Sequence, residues 1–407
     1  MALTILALVL SLYLISVAAD HFVTAASAIG RKVGLKDYLI GSLIVGIGTS
    51  LPELMTSLSA VNQDQPSLVA PNVFGTVITN VLCGLGASVL FLHLFVGKEK
   101  KLNGNRVIGT GELDFGKVNF MDTSAPVAIF SVIFAYFLCQ DGEVSLIDSI
   151  LLCICYLVFM TSEVNKREAS PPTDTSSHSD VHSSKKTFKA SRLMIAQALP
   201  LVISIGVFML IPELKEQYQW LFYVCIASLV LIAAFDYLLS LSHWNFPKIE
   251  LEDLKEIRLE RSNNLGICIY LAASLFLLYF SGETIVWSVL KVSEAFGISA
   301  EDLTATVIAL GTSLPDIVVA IIVARKLKHE MLVGHIVQSN IFDVFLITGL
   351  CGLITPLPIS EETLTLTIPF CIGTYLIMMA VMQDNKVNLT EGILMLVGYI
   401  GFVILVF

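Results

Sequence analysis

The sequence predicts an all-α polytopic membrane protein, built as two inverted five-helix repeats with interrupted helices and two extra spans between them. Three observations carry this reading. Of 407 residues, 55% are hydrophobic and 14% charged, with a mean hydropathy of +0.81, whereas soluble domains run at roughly 25% charged. An unusual hexapeptide, GTSLPE at 48–53, returns as GTSLPD at 311–316. The segments flanking the two copies carry opposite charge.

The spans follow in order. A helix needs roughly 20 apolar residues to cross the bilayer core, and five such stretches open the chain, at 2–29, 36–61, 67–96, 122–139 and 144–163. The run SEVNKREASPPTDTSSHSDVHSSKK then has too little apolar surface to offset the entropy of ordering it, and reads as a disordered loop. Spans at 193–213 and 218–241 follow, then the charged connector KIELEDLKEIRLERSNN. Five more close the chain, at 264–290, 299–324, 330–354, 363–382 and 388–406. The organisation is therefore 1–163, a middle region 164–263, and 264–407, about twelve spans in all. The opening MALTILALVLSLYLISVAAD lacks a basic leader and a small-residue cleavage site, so it reads as a span and not as a signal peptide.

Cytoplasmic loops collect Lys and Arg. With twelve spans and the N-terminus extracytoplasmic, 22 of the 24 basic residues fall on the inside, and only Lys215 and Lys291 do not. A different helix count scatters them across both sides. The eight cysteines all lie in or beside apolar segments and read as buried, inert thiols. A net charge of −10 gives no reason to expect a nucleic-acid partner. The expected environment is the lipid bilayer.

A shift of 263 residues superposes the two hexapeptides without a gap. It also takes Asp20 to Glu283, Gly34 to Gly297, Thr76 to Ser339 and Asn80 to Asp343. GRKVGLKD before the first hexapeptide is basic and its counterpart region SEAFGISAED is acidic; NQDQPS after it has no Lys or Arg, whereas RKLKHE has three. The two copies therefore enter the membrane from opposite sides. Inverted repeats with interrupted helices mark secondary transporters whose site lies near the midplane.

Proline at position i removes the donor for the carbonyl at i−4, so backbone oxygens are freed around Gly48–Pro52 and Gly311–Pro315. In hydrocarbon such groups are tolerated only where they line a cavity or find partners. Around them Thr49 pairs with Glu53, Thr312 with Asp316, Thr76 with Asn80 and Ser339 with Asp343, each at i, i+4 and so on one helix face. Carboxylate, amide, hydroxyl and carbonyl oxygens suit a hard cation such as Ca²⁺ or Na⁺, and the missing soft ligands argue against Zn²⁺ or Cu⁺. An intramembrane aspartyl protease also needs two acids, but neither stands in a Gly-x-Gly-Asp context here. A channel could use the same oxygens, though more often from several subunits. No enzymatic centre and no resident cofactor are expected.

The strings IVGIGTSLPELMTSLSA with NVFGTVITN, and VIALGTSLPDIVVAIIVARK with QSNIFD, resemble the two α-repeats of the calcium/cation antiporter superfamily, the sodium/calcium exchangers. The motifs cover 41–83 and 304–346; the middle region carries no such match. The resemblance implies a central calcium site of Glu53 and Asp316 completed by Asn80 and Asp343. It implies sodium sites using Thr49, Ser50 and Thr76 on one side and Thr312, Ser313 and Ser339 on the other, with carbonyls near Gly46 and Ala309. It also implies alternating access, with spans 2–29 and 264–290 sliding across a rigid four-helix core. Asp at 316 and the SNIFD ending at Asp343 are similar to the potassium-dependent branch.

The expected activity is exchange of Ca²⁺ for Na⁺, with or without K⁺; the alternative is H⁺/Ca²⁺ exchange. Three Na⁺ neutralise Glu53, Asp316 and Asp343, as does Ca²⁺ with one K⁺ or one H⁺, and a protonated Asp343 would change the count. Two positions depart from the family pattern: GHIVQSNIFD has His335 and Gln338 where Asn and Gly are usual. Thr76 stands where Ser is usual. His335 reads as a proton-linked group or a structural histidine. Asp20 and Glu283 read as bracing the interrupted helices, and His21 and His93 as interfacial.

Overall fold

The computed structural model describes residues 2–32, 46–96, 113–114, 124–169, 264–325, 329–382 and 386–407. The expected spans 193–213 and 218–241, the polar loop, the charged connector, Gly34 and the Asp20 side chain lie outside the described residues. Among those described, six helices are long and apolar enough to cross a membrane: Pro66–Leu94, Leu146–Glu163, Gly266–Phe296, Leu332–Ile354, Thr363–Val381 and Leu389–Val406. A seventh candidate is the pair Ala300–Thr312 and Leu314–Ile321, bent by 42°. Ala125–Asp141 is a shorter apolar helix, and Ala2–Lys32 runs as one helix of 31 residues. Each helix lies within a few residues of a stretch expected from hydropathy.

The chain separates into two compact units. One comprises Thr49–Ile154 and Ile285–Phe407, the other Ala2–Gly48 and Cys155–Thr284. In the second unit His21 is buried, with Nδ1 2.5 Å from the Tyr270 hydroxyl and its ring edge-on to that tyrosine. It is not interfacial, as had been expected. An imidazole in an apolar helix is held where a phenol can share its hydrogen.

In the first unit, burial separates central helices from peripheral ones. In their most apolar 18-residue stretches, 72% of Pro66–Leu94 and 78% of Leu332–Ile354 are buried, whereas Leu389–Val406 has 28%. Outward residues at the periphery of this unit are large and apolar, among them Ile147, Leu394 and Ile404. Such a surface suits hydrocarbon and leaves the polar side chains to the centre.

Close packing at that centre depends on small residues. A Cβ at Gly75 would run into the backbone of Ala305, so glycine lets Val69–Thr79 lie directly against the widened turn Thr304–Ile308. Widened π turns also occur at Asn80–Gly84 and Phe342–Ile347. These two coincide under the 263-residue shift, and such turns commonly mark functional positions in helices. The described residues are helical apart from two small antiparallel pairs, Leu113–Asp114 with Lys386–Val387 and Glu143–Val144 with Leu357–Pro358. These were not expected from an all-α reading; each involves only two residues per strand.

Candidate ion site

The two hexapeptides break their helices at the same residue. Gly46–Thr49 stops at Ser50 and the chain restarts as Leu51–Asn62; Ala309–Thr312 stops at Ser313 and restarts as Leu314–Arg325. The two serines adopt similar backbone angles, φ −91° and ψ 7° at Ser50, φ −78° and ψ 0° at Ser313. Pro52 and Pro315 fall in the first turn of the new helices, where a missing N–H costs least. Glu53 and Asp316 occupy those same first turns, where unpaired N–H groups and the helix dipole favour negative charge.

All ten expected ligands, Thr49, Ser50, Glu53, Thr76, Asn80, Thr312, Ser313, Asp316, Ser339 and Asp343, are buried in the first unit. Contacts cross between the two copies. Ser50 Oγ lies 2.7 Å from Ser339 Oγ, and Ser313 Oγ donates to Glu53 Oε1 at 3.4 Å. Thr312 also faces Glu53, and Thr49 faces Asp316. Asp316 Oδ2 accepts from Ser339 Oγ at 2.8 Å and from Asn80 Nδ2 at 3.1 Å. Ser50 also lies beside Asp343, and the field of Glu53 and Asp316 reaches the Asp343 carboxylate. Thr76 Oγ1 is buried and bonds to none of the others, and neither oxygen of Asp343 makes a hydrogen bond among the described residues.

Six buried oxygens here have no hydrogen-bond partner among the described residues: Glu53 Oε2, Thr76 Oγ1, Asn80 Oδ1, both oxygens of Asp343, and Asp316 Oδ1, which stands 3.2 Å from His335 Nε2 without bonding to it. Buried polar atoms are ordinarily bonded, and a buried carboxylate without a compensating charge is costly. A set rich in anionic and amide oxygens is what a hard cation binds, Ca²⁺ taking 6–8 of them. Among the described residues, no three His, Cys, Asp or Glu side chains gather closely enough to hold a metal alone. Neutral oxygens from Asn80 and the hydroxyls therefore have to complete any coordination. The Ala309 carbonyl already accepts from Ser313 N and Thr312 Oγ1, at 3.1 and 3.4 Å.

Four further residues complete the surroundings. Asn72 Nδ2 donates to the Glu53 carbonyl at 3.2 Å and to Ser57 Oγ at 3.0 Å. His335 Nε2 lies 3.2 Å from Asp316 Oδ1. Asn340 Oδ1 accepts from Asn80 Nδ2 at 3.0 Å, and Asn340 Nδ2 donates to the Tyr375 hydroxyl at 3.0 Å. Asn340 is legible as the polar residue after Ser339 in QSNIFD. Tyr375 has no local signal beyond a hydroxyl in the apolar helix Ile368–Val381.

Comparison with known proteins gives the family. The sodium/calcium exchanger protein family matches residues 3–163 and 267–407. The chain belongs to that family. It is 25% identical over 411 residues to the sodium/calcium exchanger MaX1 of Methanosarcina acetivorans, covering 99% of this chain and 98% of that one. The human sodium/potassium/calcium exchanger 1 is 30% identical over 159 residues, 37% of this chain and 14% of its own. The fold is shared with the sodium-calcium exchanger NCX_Mj soaked with Na⁺ and Sr²⁺, at a TM-score of 0.52 and 20% identity over 98% of this chain and 97% of that one. The exchanger is thus an integral, multi-pass membrane protein of the cation antiporter class, a transporter rather than a catalyst.

Proposed function

We propose that the protein exchanges Ca²⁺ for Na⁺ across its membrane, with or without K⁺, by alternating access at the site around Glu53 and Asp316. The observation that carries this is the group of six unbonded buried oxygens on four helix segments, three carboxylates among them. Ca²⁺ and its counter-ion compete for overlapping oxygens, so one occupant excludes the other and the two fluxes are coupled. Two inverted five-helix repeats in a twelve-span chain with the N-terminus outside complete the reading. Its support is the common break at Ser50 and Ser313, the coincident π turns, and the one-sided distribution of basic residues.

The test is uptake of radioactive Ca²⁺ into proteoliposomes loaded with Na⁺ and diluted into Na⁺-free buffer, with and without K⁺. Uptake that requires the Na⁺ gradient is expected, and added stimulation by K⁺ would assign that ion a place beside Asp343. Uptake driven only by an imposed pH gradient would replace this reading with H⁺/Ca²⁺ exchange. Flux of Ca²⁺ without a counter-ion would replace it with a channel.

A further inference from the structure

An amide and a carboxylate make different demands when they serve as ligands. Either oxygen of a carboxylate can face a cation, so its orientation about the last bond matters little. A primary amide has one oxygen and one NH₂, and turned the wrong way it presents two hydrogens to the ion. The 263-residue shift pairs Asn80 with Asp343, so one half of the site carries an amide where the other carries an acid. Only the amide has to be oriented.

The structure supplies an orienting chain. Tyr375 is fully buried, and its hydroxyl accepts from Asn340 Nδ2 at 3.0 Å. That bond turns Asn340 Oδ1 the other way, where it accepts from Asn80 Nδ2 at 3.0 Å. The same Nδ2 donates to Asp316 Oδ2 at 3.1 Å. Both Asn80 hydrogens are thereby used, and its Oδ1 is buried without a hydrogen-bond partner. We propose that Tyr375 and Asn340 are positioning residues that lock the Asn80 amide with its oxygen available to the transported cation. This rests on the exchange reading above.

The other half of the molecule supports the assignment. The shift takes Asn340 to Val77, so the mirror image of the Asn80–Asn340 contact would set Asp343 against valine. No orienting amide stands where the ligand is a carboxylate, and one stands where the ligand is an amide. Asn340 Nδ2 also needs an acceptor, and the Tyr375 hydroxyl supplies it from a helix outside both hexapeptide motifs.

Tyr375→Phe keeps the ring and removes the acceptor. Asn340 then no longer distinguishes its two orientations, and Asn80 follows it. The expected result in the Na⁺-gradient assay is a rise of about three- to tenfold in the Ca²⁺ concentration for half-maximal uptake, as the competent orientation loses population, with little change in maximal rate. Asn340→Leu, which removes the acceptor for Asn80 directly, should show the same rise and serves if Tyr375→Phe does not fold.

The decisive comparison is the same pair of changes in an Asn80→Asp background. A carboxylate at 80 needs no orienting, so neither change should weaken Ca²⁺ further there. A merely structural role would add its cost in both backgrounds. Equal effects in both backgrounds, or no effect in either, would overturn the relay while leaving the exchanger reading intact. A wild-type protein that takes up no Ca²⁺ would instead remove the reading on which the relay rests.

Discussion

The two halves of the site share a motif and a backbone break but hold their acids differently. Glu53 Oε1 accepts a long bond from Ser313 and Oε2 bonds to no described group. Asp316 has Oδ2 taken by Ser339 and Asn80, and Oδ1 stands 3.2 Å from His335. The shift takes Asn72, which bonds the Glu53 backbone carbonyl, to His335, which faces the Asp316 carboxylate. A duplicated motif thus does not dictate a duplicated electrostatic environment. Residues one helix away decide how open each carboxylate is.

The largest expected effect removes an acid. Glu53→Gln should lower Na⁺-coupled Ca²⁺ uptake at least about 100-fold, since deleting one charge of a compensated buried set costs ~3 kcal/mol or more. The protein should still elute as a single species in detergent. Because Asp316 already has neighbours on both oxygens, Asp316→Asn should retain more Ca²⁺ binding than Glu53→Gln. Equal losses would show that the two acids are equivalent despite their surroundings.

Next comes the pair Gly75 and Gln338, which the same shift relates. Gly75→Ala forces a methyl into the Ala305 backbone, and overpacking of that kind typically costs ~1–3 kcal/mol. The melting temperature should fall clearly. Gln338 is only partly buried, so Gln338→Ala should leave it nearly unchanged. Asn72→Ala should fall between them. It strips the donor from the Glu53 carbonyl and from Ser57, and an orphaned buried group costs about 1–3 kcal/mol.

The described helices were legible in the sequence. Apolar length placed Leu332–Ile354, Thr363–Val381 and Leu389–Val406 to within about two residues, because membrane helices answer to a single strong constraint. Eight of the ten proposed ligands stood out as oxygen-bearing pairs at i, i+4 in hydrocarbon, whereas Ser50 and Ser313 were named only by the family resemblance. The partners were less legible. His21 read as interfacial because nothing nearby in sequence marks Tyr270 as its neighbour. Tyr375 lies 35 residues from Asn340, and a lone hydroxyl in an apolar helix carries no spacing to betray it. Local pattern reveals which side chains are out of place; only the packing reveals what they are bonded to.

The smallest effect bears most directly on why the halves differ. Asn72 has two acceptors, the Glu53 carbonyl and Ser57 Oγ. The shift takes Ser57 to Ala320, so an asparagine at 335 would meet the equivalent carbonyl but no equivalent hydroxyl. Histidine at 335 stands instead against the carboxylate. The imidazole nitrogen stands 3.2 Å from Asp316 Oδ1, close enough to occupy the approach to it without making a hydrogen bond. A cation approaching Asp316 Oδ1 therefore has to displace that nitrogen. His335→Asn should tighten Ca²⁺, as the ring standing 3.2 Å from Asp316 Oδ1 is removed, read as a lower half-maximal concentration in the uptake assay. It should also lower the melting temperature slightly, and adding Ala320→Ser should recover that loss by restoring the acceptor that Asn72 enjoys. Weaker Ca²⁺ in His335→Asn would reverse the comparison: the imidazole would then be what holds Asp316 in its binding position, and the more crowded acid would be the better-prepared one.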